Sequence, residues 1–407
     1  MKRLVLCCLL SSCGLLALAQ PTPLAWINAH AQPLRSVAEA NATDNDKDLA
    51  FLARTLRGTT LCGLGEASHG THEFYLTKLR LVRYLVTHLH YQHLGLEYEA
   101  GAIEQLNAYV QTGQGDARAL LRPLHLYATE ELYQLVQWVA AYNQTQALDN
   151  RVTLFGFDTN YTPAYQAAAA AICLAYVQQH PAQVPVATAA EPVLTKIKTS
   201  STSALFELAD AEVAALHQAT AAVQAVPSGG SDAAFQRFAQ QLTLLDEGTR
   251  LGDPLARDPF MADNIVAYQS LHPGNTMLWG HNVHLAKDTT MTNYRGTGYY
   301  LRRHYGAGYY ALGFDTYQGQ VNVLAKGEFA TESFTAQPTS FSALLAQAKY
   351  PVFFLPLPAT SPLGTGIRLI THINSNWSKQ RELPMRPGVD FDGLVFVRQT
   401  TASIPLK

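Results

Sequence analysis

The sequence predicts an α/β fold with a largely parallel central sheet flanked by helices and an inserted helical subdomain. Five short apolar runs lack the alternation of a half-exposed strand, which is typical of strands buried on both faces. The first two runs are separated by a segment with apolar residues at helical spacing, as in the strand-helix-strand unit of a parallel pair. Residues 163–251, by contrast, are rich in alanine and carry no strand signal, so we predict the helical insertion there.

The N-terminal residues are typical of an export signal. A basic start precedes an apolar stretch over residues 4–19, which ends on Ala17-Leu18-Ala19, the small-x-small pattern read by signal peptidase. We therefore predict a signal peptide over residues 1–19 and a periplasmic or secreted protein. A lipid anchor on Cys13 is the alternative, which we disfavour because an apolar stretch would follow the anchor. No later segment is long and apolar enough to span a bilayer.

Length and charge narrow the remaining choices. Removal of the signal from the 407-residue chain leaves one large domain over residues 20–407, with the insertion inside it, rather than two equal domains. The chain has 29 basic and 31 acidic residues, and the basic ones form no block. We therefore expect neither nucleic acid nor an anionic membrane surface as a partner. Only Cys62 and Cys173 follow the signal. Whether they pair stays open, and we favour two buried free thiols.

The predicted elements alternate before the insertion. Leucines at helical spacing indicate a short helix that ends near residue 56, and a second helix carries an apolar stripe from Tyr75 to Leu89. The expected strands cover residues 59–65, 93–96 and 152–157, and the expected longer helices cover residues 73–90, 103–110 and 130–142. The insertion itself is a candidate lid over the active site, and ordinary peripheral packing is the alternative.

After the insertion, Asp258-Pro259 predicts a helix start, because Asp caps exposed amides and Pro suits the first turn. The sheet then resumes in further apolar runs. The expected strands cover residues 276–280, 309–314, 320–325, 351–355 and 394–397.

Each of the five apolar runs ends on an ionisable side chain. These residues are Glu66, Glu97, Asp158, His281 and Asp315. Ligands of α/β enzymes bind at the carboxyl ends of parallel strands, so the repeated ending predicts one active-site rim built from distant segments. The pattern therefore predicts an enzyme, although Asp158 and Asp315 could simply close their strands.

The sharpest candidate segment is Gly65-Glu66-Ala67-Ser68-His69-Gly70. Its two glycines permit a tight turn that aims Glu66 and His69 at one cavity. His69 can take a proton from water, and the helix that starts near Glu73 directs free amides to the same place. Glu73 is expected to bind substrate or to complement the helix dipole.

A second candidate segment is His281-Asn282-Val283-His284. Two histidines three residues apart can bind a metal, or act as a base and an oxyanion donor. Glu97 is expected to orient a histidine or a water, Glu99 to face solvent, and Arg257 to clamp a carbonyl or to form a surface ion pair. Asn282 is placed with Arg257 among the substrate-binding residues.

Other reaction classes lack their motifs. The sequence has no G-x-S-x-G elbow, no H-E-x-x-H, no P-loop and no dinucleotide-binding glycine pattern. A serine nucleophile and cofactor chemistry are therefore unsupported, and direct attack by an activated water is what remains.

Several of these segments resemble the erythromycin esterase family over most of the mature chain. The matching segments are Gly65-Glu66-Ala67-Ser68-His69-Gly70 with Glu73, Leu96-Glu97, Arg257-Asp258 with Met261-Ala262 and Asn264, Trp279-Gly280-His281-Asn282-Val283-His284, Tyr309-Tyr310-Ala311-Leu312-Gly313-Phe314 and Phe391-Asp392-Gly393-Leu394-Val395. The resemblance implies an α/β hydrolase domain that cleaves an ester or lactone with water. It also implies a general base at His69, with Glu66, Glu97, His281 and His284 around the water and the oxyanion. The resemblance leaves metal dependence open.

Three hypotheses follow. The first is an exported hydrolase of a small-molecule ester or lactone that forms no acyl-enzyme and requires no cofactor. In the second, Glu66, His69 and either His281 or His284 hold a divalent metal that activates the water. The third is a non-catalytic module that binds iron or haem through the same histidines. The natural substrate, macrolide or another ester, and the oligomeric state stay open.

Overall fold

A mixed, mostly parallel sheet forms the centre of the protein in the computed structural model, which describes residues 21–37, 46–226, 232–364 and 366–407. The predicted signal peptide over residues 1–19, including Cys13, lies outside these ranges. The α/β fold class with a mostly parallel central sheet flanked by helices is confirmed. The strands are β1 (Gln32–Pro33), β2 (Leu61–Leu64), β3 (Tyr91–Glu99), β4 (Thr153–Asp158), β5 (Asn275–Trp279), β6 (Tyr309–Ala325), β7 (Glu328–Thr335), β8 (Val352–Pro356), β9 (Arg368–Thr371), β10 (Glu382–Met385) and β11 (Gly393–Thr400).

The strand order explains which segments meet. Within the described ranges, the main sheet has the order β1-β8-β11-β6-β2-β5-β3-β4, and β7 pairs with β6 outside this path. The pairs from β11 to β4 are parallel, whereas β1, β7 and β8 pair antiparallel with their neighbours. Strands β9 and β10 form a separate antiparallel pair. Strand β2 is buried along its whole length, as its unbroken apolar run predicts.

Helices connect and flank these strands. The α-helices are α1 (Pro23–His30), α2 (Leu52–Thr55), α3 (His72–Leu89), α4 (Ala100–Thr112), α5 (Ala117–Leu121), α6 (Glu130–Gln144), α7 (Pro163–Gln179), α8 (Pro185–Thr188), α9 (Glu191–Thr199), α10 (Asp210–Gln224), α11 (Ala233–Gly248), α12 (Arg257–Leu271), α13 (Asn282–Leu285), α14 (Thr297–Tyr305) and α15 (Phe341–Ala346). Short 3₁₀ helices cover Lys47–Leu49, His125–Tyr127, Leu148–Asn150, Ala204–Glu207 and Gly306–Gly308. No helix in the described ranges is long and apolar enough to cross a membrane.

The predicted break between residues 314 and 320 is wrong, because β6 is one strand of 17 residues. Its second half pairs with β7 after a turn at Lys326 and Gly327, both with positive φ. Asp315 therefore lies inside a strand and not at its end. It is fully buried and accepts hydrogen bonds from the Ser342 hydroxyl and the Thr371 backbone N–H, so it does not belong to the rim.

Among the described residues, the region from α7 to α11 consists of helices and connecting loops without a strand. It packs around its own apolar cluster, which includes Cys173, Leu216 and Phe238. Glu99 anchors its start, accepting hydrogen bonds from the backbone N–H groups of Tyr161 and Thr162. The expectation that Glu99 faces solvent is therefore wrong: it is 1% exposed because these amides replace water. A lid role for the region stays a prediction.

Candidate active site

Strand register brings the ionisable strand ends to one edge of the sheet. In the parallel ladders, Leu64 pairs with Trp279, and Trp279 pairs with Leu96. Because these residues stand side by side, the residues that follow them lie at the same level; β2 and β5 end there, whereas β3 continues to Glu99. Glu66, Glu97 and His281 follow within two residues, and the carboxyl end of β4 adds Asp158.

The turn after β2 requires its two glycines. A Cβ atom on Gly65 would lie 2.2 Å from the Asn282 Oδ1 atom, and one on Gly70 would lie 1.9 Å from the Asn322 carbonyl oxygen. Both contacts are closer than atoms can approach, so only glycine lets the turn pack against α13 and β6. This tight turn places Glu66 and His69 on the same side.

Glu66 connects His69 to a buried lysine. The His69 Nδ1 atom lies 2.6 Å from Glu66 Oε1, and Lys78 Nζ donates to Glu66 Oε2, also at 2.6 Å. Glu66 and Lys78 are fully buried, whereas the His69 side chain is 15% exposed. The pairing fixes a proton on Nδ1 of a neutral His69 and leaves Nε2 as the free base.

Lys78 lies on the buried face of α3, although lysine is rarely found there. Lys78 lies three residues after Tyr75 and four before Val82, both fully buried, so helical spacing itself places it on the inner stripe. Its ammonium also lies 4.5 Å from the centre of the Trp279 ring, a cation–π contact. Burial lowers the pKa of Lys78 to about 8 against the opposing attraction of Glu66.

A second charge cluster surrounds Glu97. Its Oε1 atom accepts from Arg257 at 3.1 Å and lies 3.3 Å from His284 Nε2, while Oε2 accepts from the His281 backbone N–H at 2.7 Å. Burial alone would raise the pKa of Glu97, but the positive charges and this N–H hold it at about 2. Arg257 also pairs with Asp158 at 2.7 Å, so Asp158 does more than close its strand.

Asp258 is a site residue that sequence reasoning missed. The prediction that it caps its helix is wrong, because α12 begins at Arg257 and has no side-chain cap. The Asp258 carboxylate instead lies 2.8 Å from His284 Nδ1 and accepts from Thr297. Two carboxylates thus flank His284, and they raise its pKa despite burial. The signal was available in sequence as an acid directly after Arg257.

His281 differs from His284, because its surroundings lower its pKa and so keep its ring neutral. Its Nδ1 atom accepts from the Val283 backbone N–H at 3.3 Å, which assigns the proton to Nε2. Burial, and repulsion from His372, His69 and His284 when they are charged, lower the pKa of His281 well below its usual value. The Nε2 atom is buried and no described residue accepts a hydrogen bond from it at bonding distance, although the nearby Ala67 carbonyl favours the protonated ring. His281 therefore offers one N–H donor.

His372 is a second residue that the sequence did not reveal. It follows β9, is 6% exposed, and its ring lies perpendicular to that of His281 at 4.9 Å. Burial lowers its pKa to about 4. The Ile373 backbone N–H donates to the Ala67 carbonyl at 2.8 Å and so joins this segment to the turn after β2.

A cavity of about 220 Å³ opens onto these clusters. Its lining residues are His69, Glu97, Tyr98, Leu124, His125, Leu126, Tyr127, Tyr161, Arg257, Leu324 and Ser375. A larger cleft, of about 470 Å³, lies between α10, α11 and α12 and is lined by none of His69, His281, His284 and His372. The smaller cavity is the candidate active site, because His69 lines it together with the charged side chains of Glu97 and Arg257.

Two residues expected to bind substrate lie elsewhere. Glu73 accepts hydrogen bonds from the backbone N–H and the hydroxyl of Thr401, so its carboxylate fixes the C-terminal segment. Asn282 is fully buried and exchanges hydrogen bonds with the backbone of Phe314. Neither side chain lines the cavity, whereas Arg257 does.

The placed residues do not fit a metal site. In the described parts of the chain, no group of three or more His, Cys, Asp or Glu side chains is arranged to hold an ion. Both Glu66 oxygens already have partners, one of them the Lys78 ammonium, which would repel a second cation. We therefore derive no step through a metal, and cofactor dependence stays to be measured.

Nucleophilic side chains near the turn are not available for attack. The Ser68 hydroxyl is buried and pairs with the Thr71 hydroxyl. Cys62 and Cys173 are both free and buried, and burial raises the pKa of Cys62 to about 12.

Comparison with known proteins supports a common fold and family. The family model described as erythromycin esterase matches residues 86–400. That range contains Glu97, Arg257, His281 and His284, whereas Glu66 and His69 precede it. YbfO of Bacillus subtilis, whose name describes it provisionally as a hydrolase, is 25% identical over 94% of this chain and 92% of its own length.

Two erythromycin esterases are also similar. The type II enzyme of Escherichia coli is 25% identical over 72% of this chain and 79% of its own. The solved structure of an EreC mutant in its open conformation superposes with a TM-score of 0.70 at 17% identity. The superposition covers 93% of this chain and 99% of the EreC chain. At this identity the likeness supports the fold alone.

Proposed function

Because the chain belongs to the erythromycin esterase family, we propose that it hydrolyses a carboxylic ester or lactone through a water that His69 activates. One observation carries the proposal: the His69 Nδ1 atom pairs with Glu66 at 2.6 Å, which leaves Nε2 free at a cavity lined by Glu97 and Arg257. An imidazole held in this tautomer is suited to take a proton from water.

The other charged residues prepare the site for the developing negative charge. Glu66 stabilises the imidazolium that forms at His69, and Lys78 balances the buried Glu66 charge. Both carboxylate oxygens of Glu97 already pair with groups of the protein. Glu97 therefore orients Arg257 and His284 rather than the water. Arg257 and His284 supply positive charge, and His281 supplies an N–H donor.

Direct attack by water fits the available nucleophiles. The Ser68 hydroxyl is bonded to Thr71, and the Cys62 thiol is buried with a raised pKa. We therefore propose that no acyl-enzyme forms, and that product release follows one hydrolytic step without a pre-steady-state burst.

The substrate is a small molecule, and its ester group enters a narrow cavity. At about 220 Å³, the cavity is smaller than a typical site for a drug-sized ligand, roughly 300–1,000 Å³. Leu124, Leu126 and Tyr161 add apolar wall. We propose that an acyl or alkyl group of modest size binds here. The export signal predicted over residues 1–19 favours an ester met outside the cytoplasm.

A panel of chromogenic esters and lactones tests this function on protein that starts at Gln20. His69→Ala should lower kcat by roughly 10²–10⁴-fold, the usual contribution of a positioned base. His88→Ala, which removes an exposed histidine of the same α3 helix, should leave turnover unchanged. Full activity in His69→Ala would exclude the proposed base. Loss of activity with a chelator, restored by zinc or manganese, would favour the metal-dependent alternative.

A further inference from the structure

Tyr127 carries an unpaired hydroxyl at the candidate active site. The residue ends the 3₁₀ helix His125–Tyr127 and is 4% exposed. Its hydroxyl is buried, and no atom of the described residues accepts its hydrogen bond. A buried donor without an acceptor is unfavourable, because it has lost its hydrogen bond to water, so a native protein seldom retains one without a reason.

The position of Tyr127 suggests that reason. Tyr127 lines the same cavity as His69, Glu97 and Arg257. Its ring meets the His69 ring edge-on, with 5.9 Å between the ring centres. The His281 ring, whose Nε2 atom also lacks a partner, lies 5.0 Å from the His69 ring by the same measure. Two unpaired donors therefore border the base that activates the water.

The backbone holds the Tyr127 segment in place. His125 has φ 47°, in the left-handed region that residues other than glycine rarely adopt. Such strained residues occur preferentially at functional sites. Tyr75 secures the segment from one side, donating to the Leu126 carbonyl at 3.2 Å. The backbone N–H of Leu406 donates to the Ala128 carbonyl at 2.8 Å from the other.

We propose that the Tyr127 hydroxyl donates a hydrogen bond to the carbonyl oxygen of the ester as that oxygen becomes an oxyanion, an assignment that rests on the proposed function. His69 removes a proton from water, the water oxygen bonds to the carbonyl carbon, and the carbonyl π electrons move to its oxygen. Tyr127 and the His281 Nε2–H stabilise that charge. The tetrahedral intermediate then expels the alkoxide, which takes the proton from His69.

Electrostatics keep the donor protonated. Burial and the nearby carboxylates of Glu66 and Glu97 raise the pKa of Tyr127 well above its usual value. A neutral O–H can therefore donate throughout the working range of pH, and it does not compete with His69 as a base.

Tyr127→Phe tests the assignment, because it removes one oxygen and keeps the ring. The matched control is Tyr91→Phe, which also deletes a buried, unpaired hydroxyl, in a residue at the start of β3 that does not line the cavity. We expect Tyr127→Phe to lower kcat roughly 10²-fold with little change in KM, the usual effect of losing one oxyanion donor. Tyr91→Phe should keep wild-type kcat and KM.

A phosphonate analogue of the ester that the wild type hydrolyses fastest adds a second measurement. Its affinity would not change if Tyr127 had only a structural role. Tyr127→Phe should bind this tetrahedral oxyanion more weakly than the wild type does, by the same factor by which its kcat/KM falls. Thermal unfolding should show both variants folded, and a crystal structure of the wild-type phosphonate complex should place the Tyr127 oxygen on a phosphonyl oxygen.

Three results would overturn the assignment. They are a kcat within about twofold of wild type, a phosphonate affinity that does not change, and a complex in which Tyr127 contacts another group. Failure of the proposed function would give a different result: the wild-type protein itself would turn over no ester or lactone.

Discussion

Lys78→Met tests the buried charge pair behind the proposed base. Lys78 and Glu66 are both fully buried, with 2.6 Å between their charged atoms. Removal of one partner from such a pair costs about 3–5 kcal/mol, because the other charge stays in a medium of low dielectric constant. Methionine nearly matches the volume of lysine, so packing is retained. We expect the free energy of unfolding, from urea denaturation at pH 8, to fall by about 3–5 kcal/mol.

The pH dependence separates charge from packing. Without Lys78, the buried Glu66 carboxyl favours its protonated form, and it binds a proton at a pH where the unfolded chain has released one. The stability of the variant should therefore fall as pH rises, which makes the deficit larger at pH 8 than at pH 5. Lys196→Met is the control. The Lys196–Glu212 pair is 42% and 29% exposed, so its loss should cost only about 0–1 kcal/mol.

The double variant Lys78→Met with Glu66→Gln completes the test. It leaves no unpaired charge in the core, so most of the lost stability should return. Ester turnover should stay low, because His69 then lacks its carboxylate partner. A deficit below about 1 kcal/mol in Lys78→Met, or one that is equal at pH 5 and pH 8, would refute the reasoning.

Three further measurements follow from the structure. Asp258→Asn removes one of the two acids beside His284, so the pKa of His284 should fall and the alkaline limb of kcat/KM should move to lower pH; an unchanged pH profile would contradict this role. The thiols of Cys62 and Cys173 should not react with a chromogenic disulfide in the native protein at pH 8 and should both react after unfolding, whereas failure to react after unfolding would indicate a disulfide. N-terminal sequencing of exported protein should start at Gln20, and a start at Cys13 would instead indicate a lipoprotein.

Local patterns were sufficient to predict much of the architecture. Unbroken apolar runs predicted β2, β5 and β8 within a few residues, because strands buried on both faces exclude polar side chains wherever they occur. The long helix α3 was predicted over residues 73–90 and covers His72–Leu89. The turn between Gly65 and Gly70 was also visible, since close packing there leaves no room for a Cβ atom.

Errors arose where a residue's role depends on a distant partner. Glu99 was expected to face solvent, Asp258 to cap a helix and Asp315 to end a strand. Each carboxylate instead accepts hydrogen bonds from a segment at least 27 residues away. Asn282 was expected to bind substrate, but the backbone of Phe314 already occupies its side chain. Glu73 was expected to bind substrate or to complement the helix dipole; it lies in the first turn of α3, and its carboxylate accepts from Thr401. Nothing in the local pattern distinguishes an acid that meets solvent from one that meets a buried amide.

The sequence by itself determined which residue types stand at the carboxyl ends of the strands, since strand periodicity and turn glycines depend on near neighbours. The tertiary structure alone decided which of them share a cavity. Register aligned Glu66, Glu97 and His281, and chain packing brought Tyr127 and His372 beside His69 and His281. The physical reason is that pairing energies depend on distance in space, and the fold sets those distances between segments that are remote along the chain.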